Sequence, residues 1–271
     1  MTHGRKILCV DLTGADGHIT FNQMILCSLI PVGQVTLIAP KNYIPNFSKM
    51  CICHPLPEGV SKMRIGRLLF RVNQSVRWLY LRKFLKKNKY DAVVLLGSDI
   101  LTTALFVPRN LLIWSIEHNT IDQITRSATK RFLFKKMPQG LMHFVMLDYI
   151  KDFVRDVSGR QVETLPHPLR PLPSENIPVP DGFPVGKKVI FSPSRSSGMS
   201  DYEPIKQSMN GRGEITLVAK GNPSESSDHI QYWEYFQNYD AWMRHSQAVY
   251  ISGKYIYRAS GVVFDSLGLG T

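Results

Sequence analysis

The sequence predicts an α/β fold made of two halves, each a parallel sheet with helices between its strands. Three observations lead there. Residues 187–221 (KKVIFSPSRSSGMSDYEPIKQSMNGRGEITLVAKG) read as strand, small-residue loop, helix and second strand. Residues 6–39 repeat that order at the amino end. Between the two, seven prolines fall within nineteen residues, from Pro166 to Pro184, too dense for a long helix or a central strand. The expected organisation is therefore an amino-terminal domain at 1–168, a proline-rich linker at 169–186 and a carboxyl-terminal domain at 187–271.

Unbroken apolar runs mark strands covered on both faces. One occurs at 189–191, and strands are also expected at 6–12, 35–39, 92–96, 111–116, 144–147, 162–165, 215–219 and 248–252. Helical spacing fills most gaps: 21–29 after the first strand, a long helix within 62–89, a basic one at 126–136, and 149–157 with Asp148 as its cap and Gly159 as its stop. At 260–261 a Ser-Gly pair opens a last helix, and no strand follows it. The second sheet is therefore expected to be incomplete, as in a fragment or a shortened chain.

Composition narrows the function classes. Hydrophobic content of 44% and charged content of 20% suit an ordinary globular protein, but the net charge of +12 favours an anionic partner. The apolar run at 101–116 is interrupted by Pro108, Arg109 and Asn110, so it cannot span a bilayer. Four cysteines, all in the first fifth of the chain, fit a reducing cytoplasm; Cys9 and Cys27 are expected to be buried. Cys51, Cys53 and His54 look like part of a metal site, but no second ligand pair has matching spacing.

The stretch 62–89, opening at Lys62 and ending at Lys89, holds ten Lys or Arg and no acid. Ile65, Leu68, Leu69, Val72, Val76 and Leu79 recur at helical spacing and are expected to pack on the sheet. The cations then face outward. At about 1 kcal/mol for each basic residue near anionic lipid, half of them suffice for reversible attachment. An anionic membrane surface is thus the expected partner of Lys62 to Lys89, at the inner face of the cell membrane.

Several short motifs keep a recognisable order. The first strand leads into Gly14 to His18, with Gly17 in that loop, and a later strand ends at His118-Asn119. Val162 opens a Val-x-x-x-Pro-His-Pro crossover that ends at Pro168. The second half presents a loop arginine, Arg195, then a strand closing in Gly221, and finally Ser260 to Thr271 with an acid and a Gly-x-Gly-Thr-like turn. In that order and spacing the chain resembles the GT-B glycosyltransferases, which have two Rossmann-like domains, and in particular the retaining branch that builds bacterial surface polysaccharides.

The resemblance implies transfer of a sugar from a nucleotide-sugar donor to a polysaccharide or lipid-linked acceptor. It places the donor on the second domain and the acceptor on the first. The departing diphosphate gains negative charge, so a fixed cation and helix N-terminal amides should stabilise it. Amides alone offer up to about 2 kcal/mol, little against a barrier reduction of roughly 8 kcal/mol or more. Arg195 is therefore the first candidate for the diphosphate. The family's loop adds a lysine where Gly198 and Met199 stand here, so the second cation is either missing or supplied by Lys220 or Arg258. Ser260, Gly261 and Asp265 complete the donor side, with Tyr257-Arg258 where relatives carry a first acid. His118 is the catalytic candidate, and Gly17, His18 and Asn119 form the acceptor-side loop. No protein nucleophile is assigned. The nearest analogue of an Asp-x-Asp motif is Asp201-Tyr202-Glu203, so neither metal nor other cofactor is expected.

Two rivals start from the same residues. A nicotinamide-dependent sugar-nucleotide epimerase or reductase could use the first glycine loop, with Tyr202 and Lys206 as its tyrosine-lysine pair, although Pro204 lies between them. A non-enzymatic module for RNA or anionic lipid would use the basic stretch with Trp78 and Tyr80, without any RNA-binding signature.

Overall fold

The computed structural model describes residues 4–15, 18–57, 67–118, 120–169, 177–193, 202–251, 256–257 and 260–270. The chain divides into two compact units, Met1–Pro168 and Leu169–Thr271.

The first unit is a seven-stranded sheet. Its strands are β1 (Arg5–Asp11), β2 (Gly33–Ala39), β3 (Ile52–Pro55), β4 (Ala92–Gly97), β5 (Ile113–Ile116), β6 (Leu141–Val145) and β7 (Val162–Thr164), in the order β3-β2-β1-β4-β5-β6-β7. Every pairing is parallel. Helices α1 (Ile19–Leu29), α2 (Arg67–Lys87), α3 (Ile100–Phe106), α4 (Ile121–Arg126), α5 (Ala128–Lys135) and α6 (Asp148–Ser158) fill the connections. The central strand explains the pattern: Ile7 to Asp11 are all buried, because β1 has strands on both edges and helices on both faces. The strand order reverses between β1 and β4, and ligands of open parallel sheets bind at such a switch point.

In the second unit β8 (Lys188–Ser192), α7 (Glu203–Met209), β9 (Ile215–Lys220), β10 (Ile230–Trp233), α8 (Tyr239–His245), β11 (Ala248–Val249) and α9 (Gly261–Leu269) build a parallel sheet ordered β10-β9-β8-β11. Alternation along β9 feeds two cores. Val218 joins Val189, Phe191, Trp242 and Met243 on one face; Leu217 and Ala219 join Tyr202, Met209 and Ile230 on the other. Residues 177–186 lie against this unit, where His245 Nε2–H donates to the Ile177 carbonyl at 2.9 Å and Phe183 packs on Trp242.

Three expectations are corrected. The apolar row of α2 does not face the sheet: Leu68, Leu69, Val72, Val76 and Leu79 are exposed, and Gln74, Trp78 and Leu81 are buried in their place. Ile65 lies outside the described residues. Gln74 prevails because its Nε2 donates to the Leu12 carbonyl at 2.7 Å, satisfying an acceptor at the end of the sheet. Asp148 is the first residue of α6 and not its cap, with Oδ1 accepting from Thr164 Oγ1 at 2.5 Å; the left-handed Gly159 does end the helix. Cys27 is exposed, on the solvent side of α1, while Cys9 is buried in β1. No helix among the described residues is long and apolar enough to cross a membrane.

Candidate active site

The carboxyl end of β1 is organised by Asp11, fully buried. Its Oδ1 accepts from the Thr13 amide, the Thr13 hydroxyl and the Gly14 amide, each at 2.8 Å, and its Oδ2 accepts from Asn22 Nδ2 at 2.9 Å. This ties the loop after β1 to the first turns of α1. Gly14 takes the left-handed φ of +61° that the turn needs. Gly97, at the end of β4, leaves room for the carboxylate: a Cβ there would stand 2.7 Å from Asp11 Oδ1 and 2.6 Å from Thr13 Oγ1. Arg77 Nη1 donates to the Leu12 carbonyl at 2.5 Å; burial pulls its guanidinium pKa down, and the Asp11 charge opposes that.

That loop delivers His18 to the end of β5. His18 and His118 stack with ring centroids 4.1 Å apart and planes at 21°, and Phe21 meets the His118 ring edge-on at 4.4 Å. His167, of the proline-flanked crossover, also meets Phe21, with ring centroids 4.9 Å apart. Burial, and then the nearby His18 and His167, hold the His118 pKa well below the usual 6.5. Its imidazole is therefore neutral at pH 7. Its Nε2 is buried without a hydrogen-bond partner among the described residues. In the tautomer that carries its proton on Nδ1, a neutral imidazole can accept a proton or a hydrogen bond from a sugar hydroxyl at Nε2.

The residue before it anchors the turn. Glu117 accepts from Ser115 Oγ at 2.9 Å, from His143 Nδ1–H at 2.8 Å and from the Thr120 hydroxyl. Burial alone would raise the Glu117 pKa, but the hydrogen bond and charge of His143, with the two hydroxyls, outweigh it and hold the carboxylate below its ordinary value. An ionised carboxylate only accepts, so His143 Nδ1 carries the proton. β5 and β6 pair Ser115 with His143, which is why residues so far apart in sequence meet.

In the second unit the strand order reverses at β8, between β9 and β11. Ser260 and Gly261 open α9, on the chain leaving β11 at its carboxyl end. Lys220 ends β9 with its Nζ 5.8 Å from the centre of the Tyr235 ring. Asp265, in the second turn of α9, accepts from Tyr239 Oη at 3.5 Å. Arg195 and Arg258 lie outside the described residues, as do Gly17, Asn119, Asp201, Gly198 and Met199.

Sequence reasoning named His18 and His118 but missed Asp11, Glu117 and His143. The signals were an acid opening the first glycine turn, an acid directly before His118, and a histidine inside an apolar strand. Each is common in proteins with no site.

The two residues of the rival pair have different partners. Tyr202 is buried with its Oη 3.4 Å from Ser192 Oγ, while Lys206 Nζ lies 3.3 Å from Glu203 Oε1 at the surface. Cys51 and Cys53 hold their sulfurs 3.9 Å apart, and among the described residues no group of three His, Cys, Asp or Glu side chains is placed to hold a metal ion.

No protein-family model and no curated protein sequence matches the chain. Solved structures do. Sucrose-phosphate synthase from Thermosynechococcus elongatus aligns with a TM-score of 0.65 at 12% identity, covering 90% of this chain and 75% of that one. The glycosyltransferase of kitacinnamycin aligns at 0.59 and 12%, covering 91% and 75%. A UDP-N-acetylglucosamine 2-epimerase aligns at 0.55 and 12%, covering 92% and 73%. Such identities speak for the fold alone, and that fold is the α/β GT-B architecture of glycosyltransferases, with two Rossmann-like units.

Proposed function

We propose that this chain transfers a sugar from a nucleotide-sugar donor to a polysaccharide or lipid-linked acceptor in surface glycan synthesis, in the cytoplasm at the inner face of the membrane. The observation that carries the proposal is the neutral His118, its Nε2 vacant among the described residues, at the carboxyl end of a GT-B-type sheet. His118 takes the acceptor proton as the acceptor oxygen bonds to the anomeric carbon. The bond from that carbon to the diphosphate breaks, and its electron pair leaves with the diphosphate. His18 and the loop through Gly17 and Asn119 line the acceptor side. Arg195, Lys220 and Arg258 offset the diphosphate charge, as do Ser260 and the amide end of α9, and Asp265 holds the ribose or sugar. The membrane partner meets the basic stretch 62–89.

A thermal-shift panel of UDP-, GDP- and CDP-sugars tests it. One donor should raise Tm, Arg195→Ala should remove that rise, and His118→Ala should keep it while transfer to acceptor is lost. No shift with any donor would overturn the proposal.

A second reading is favoured by the 2-epimerase likeness: the chain would rework the sugar of a nucleotide sugar without any acceptor. Product analysis with donor alone separates the two. An altered nucleotide sugar formed without acceptor favours the epimerase, and an NADH titration covers its nicotinamide-dependent form.

A further inference from the structure

Helix α2 turns its longest apolar row away from the sheet. Leu68, Val72, Val76 and Leu79 follow one another at helical spacing, and all four are exposed, Leu68 by 75% and Leu79 by 53%. Lys83 and Lys86 continue the same line toward the carboxyl end, both exposed. One stripe about 27 Å long is thus aliphatic in its first half and cationic in its second. Among the described residues no carboxylate pairs with Arg82, Lys83, Lys86 or Lys87.

Lys86 of that stripe lines one of two adjoining hollows; neither Lys83 nor Lys86 lines the second. One, of about 500 Å³, is lined by Arg82, Lys86 and Arg109; the other, of about 1030 Å³, by Arg5, Lys6 and Lys89. They share Leu85 and Leu111. The one acid in either lining, Asp91, already accepts from the Lys6 amide at 2.7 Å.

We propose that α2 docks on an anionic phospholipid bilayer, with Leu68, Val72, Val76 and Leu79 at the boundary of headgroups and acyl chains. Lipid phosphates then sit at Lys83, Lys86 and the hollow beside Arg82 and Arg109. This deepens the reading given for the membrane partner and rests on that partner, not on the donor chemistry. An apolar row continued by cations is what binds a helix flat on charged lipid. RNA is disfavoured because the exposed row is aliphatic and cannot stack on bases, while Trp78 is buried. A second copy is disfavoured because pairing along the stripe would bury its cations with no acid in the stretch to answer them.

The test is flotation of the full chain with phosphatidylcholine vesicles, with and without about a third phosphatidylglycerol. Binding should require the anionic lipid and weaken between 0.1 and 0.5 M salt, roughly in step with a shrinking Debye length. The double variant Val76→Ser, Leu79→Ser should lose tenfold or more in partitioning with an unchanged Tm. Lys83→Gln and Lys86→Gln should each lose about fivefold. Wild type that stays with neither vesicle, or a serine variant that floats as wild type does, overturns the proposal. So does a dimer, or RNA retention, that depends on Leu79 while flotation does not. The donor thermal shift on the same variants keeps the two readings apart: flotation without any donor shift sinks the transferase and leaves the docking standing.

Discussion

His18 lies flat against His118 at 4.1 Å, so a residue from the loop after β1 and one from the end of β5 share a single aromatic stack. Protonating either ring places a charge against the other. Burial first, and then that relationship and the nearby His167, are why the His118 pKa falls.

Acid should therefore weaken the fold through His118. Its folded pKa lies below its unfolded value of about 6.5, so between the two the unfolded chain binds more protons and stability drops as pH falls. Thermal melts from pH 7.5 to 5 should show Tm declining once pH passes below about 6.5. His118→Gln should flatten that decline, and an unchanged slope in the variant would show that another group controls it.

Glu117 acts in a lower window. Its folded pKa is depressed, so its stabilisation is present above about pH 4.5 and is lost as pH falls through the folded value. Glu117→Ala leaves His143 Nδ1, Ser115 and Thr120 without their buried acceptor, at a cost of about 1–3 kcal/mol. Urea unfolding at pH 7 measures the loss, and an unaltered midpoint would count against the network.

Gly97→Ala should disturb one loop while leaving donor binding alone. The added Cβ meets Asp11 Oδ1 at 2.7 Å, in a cluster with little room to give. A cost of about 1–3 kcal/mol is expected, with transfer reduced and the donor thermal shift kept. Wild-type transfer in this variant would remove Asp11 from the account.

Neighbouring residues on α2 should answer in opposite ways. Trp78 is fully buried, so Trp78→Ala should cost about 3–5 kcal/mol; Leu79→Ala, exposed by 53%, should stay within about 0.5 kcal/mol. Chemical denaturation of both variants settles which side faces the sheet.

Thiol labelling should follow exposure. Cys27 is exposed and should react first, while burial, followed by the neighbouring Cys53, pushes the Cys51 thiol up to about 12 and keeps it slow. Cys9, buried in β1, should label only on unfolding. Mass spectrometry of timed alkylation gives the order, and early labelling of Cys9 would contradict the buried strand.

Strands whose residues are buried on both faces were legible, because an unbroken apolar run needs no partner to be recognised. β1, β4 and β9 fall within a residue or two of the expected spans. The short β3 was not, since Ile52, Cys53 and His54 lie on an edge strand that is only partly covered and show no clear alternation. His118 was legible as a histidine after an apolar strand. What makes it a site was not, because His18 and Phe21 arrive from about a hundred residues away.

By itself the sequence determined the two α/β halves, their parallel strands and the excess of positive charge, all of which follow from local runs of residue type. Tertiary structure alone decided which side of α2 is inside. Both sides carry apolar residues, so periodicity could not choose between them. The choice fell to the Leu12 carbonyl, which Gln74 and Arg77 satisfy across more than sixty residues of chain. A buried acceptor must be paired, and that demand drew a polar residue inward and left a row of leucine and valine facing out.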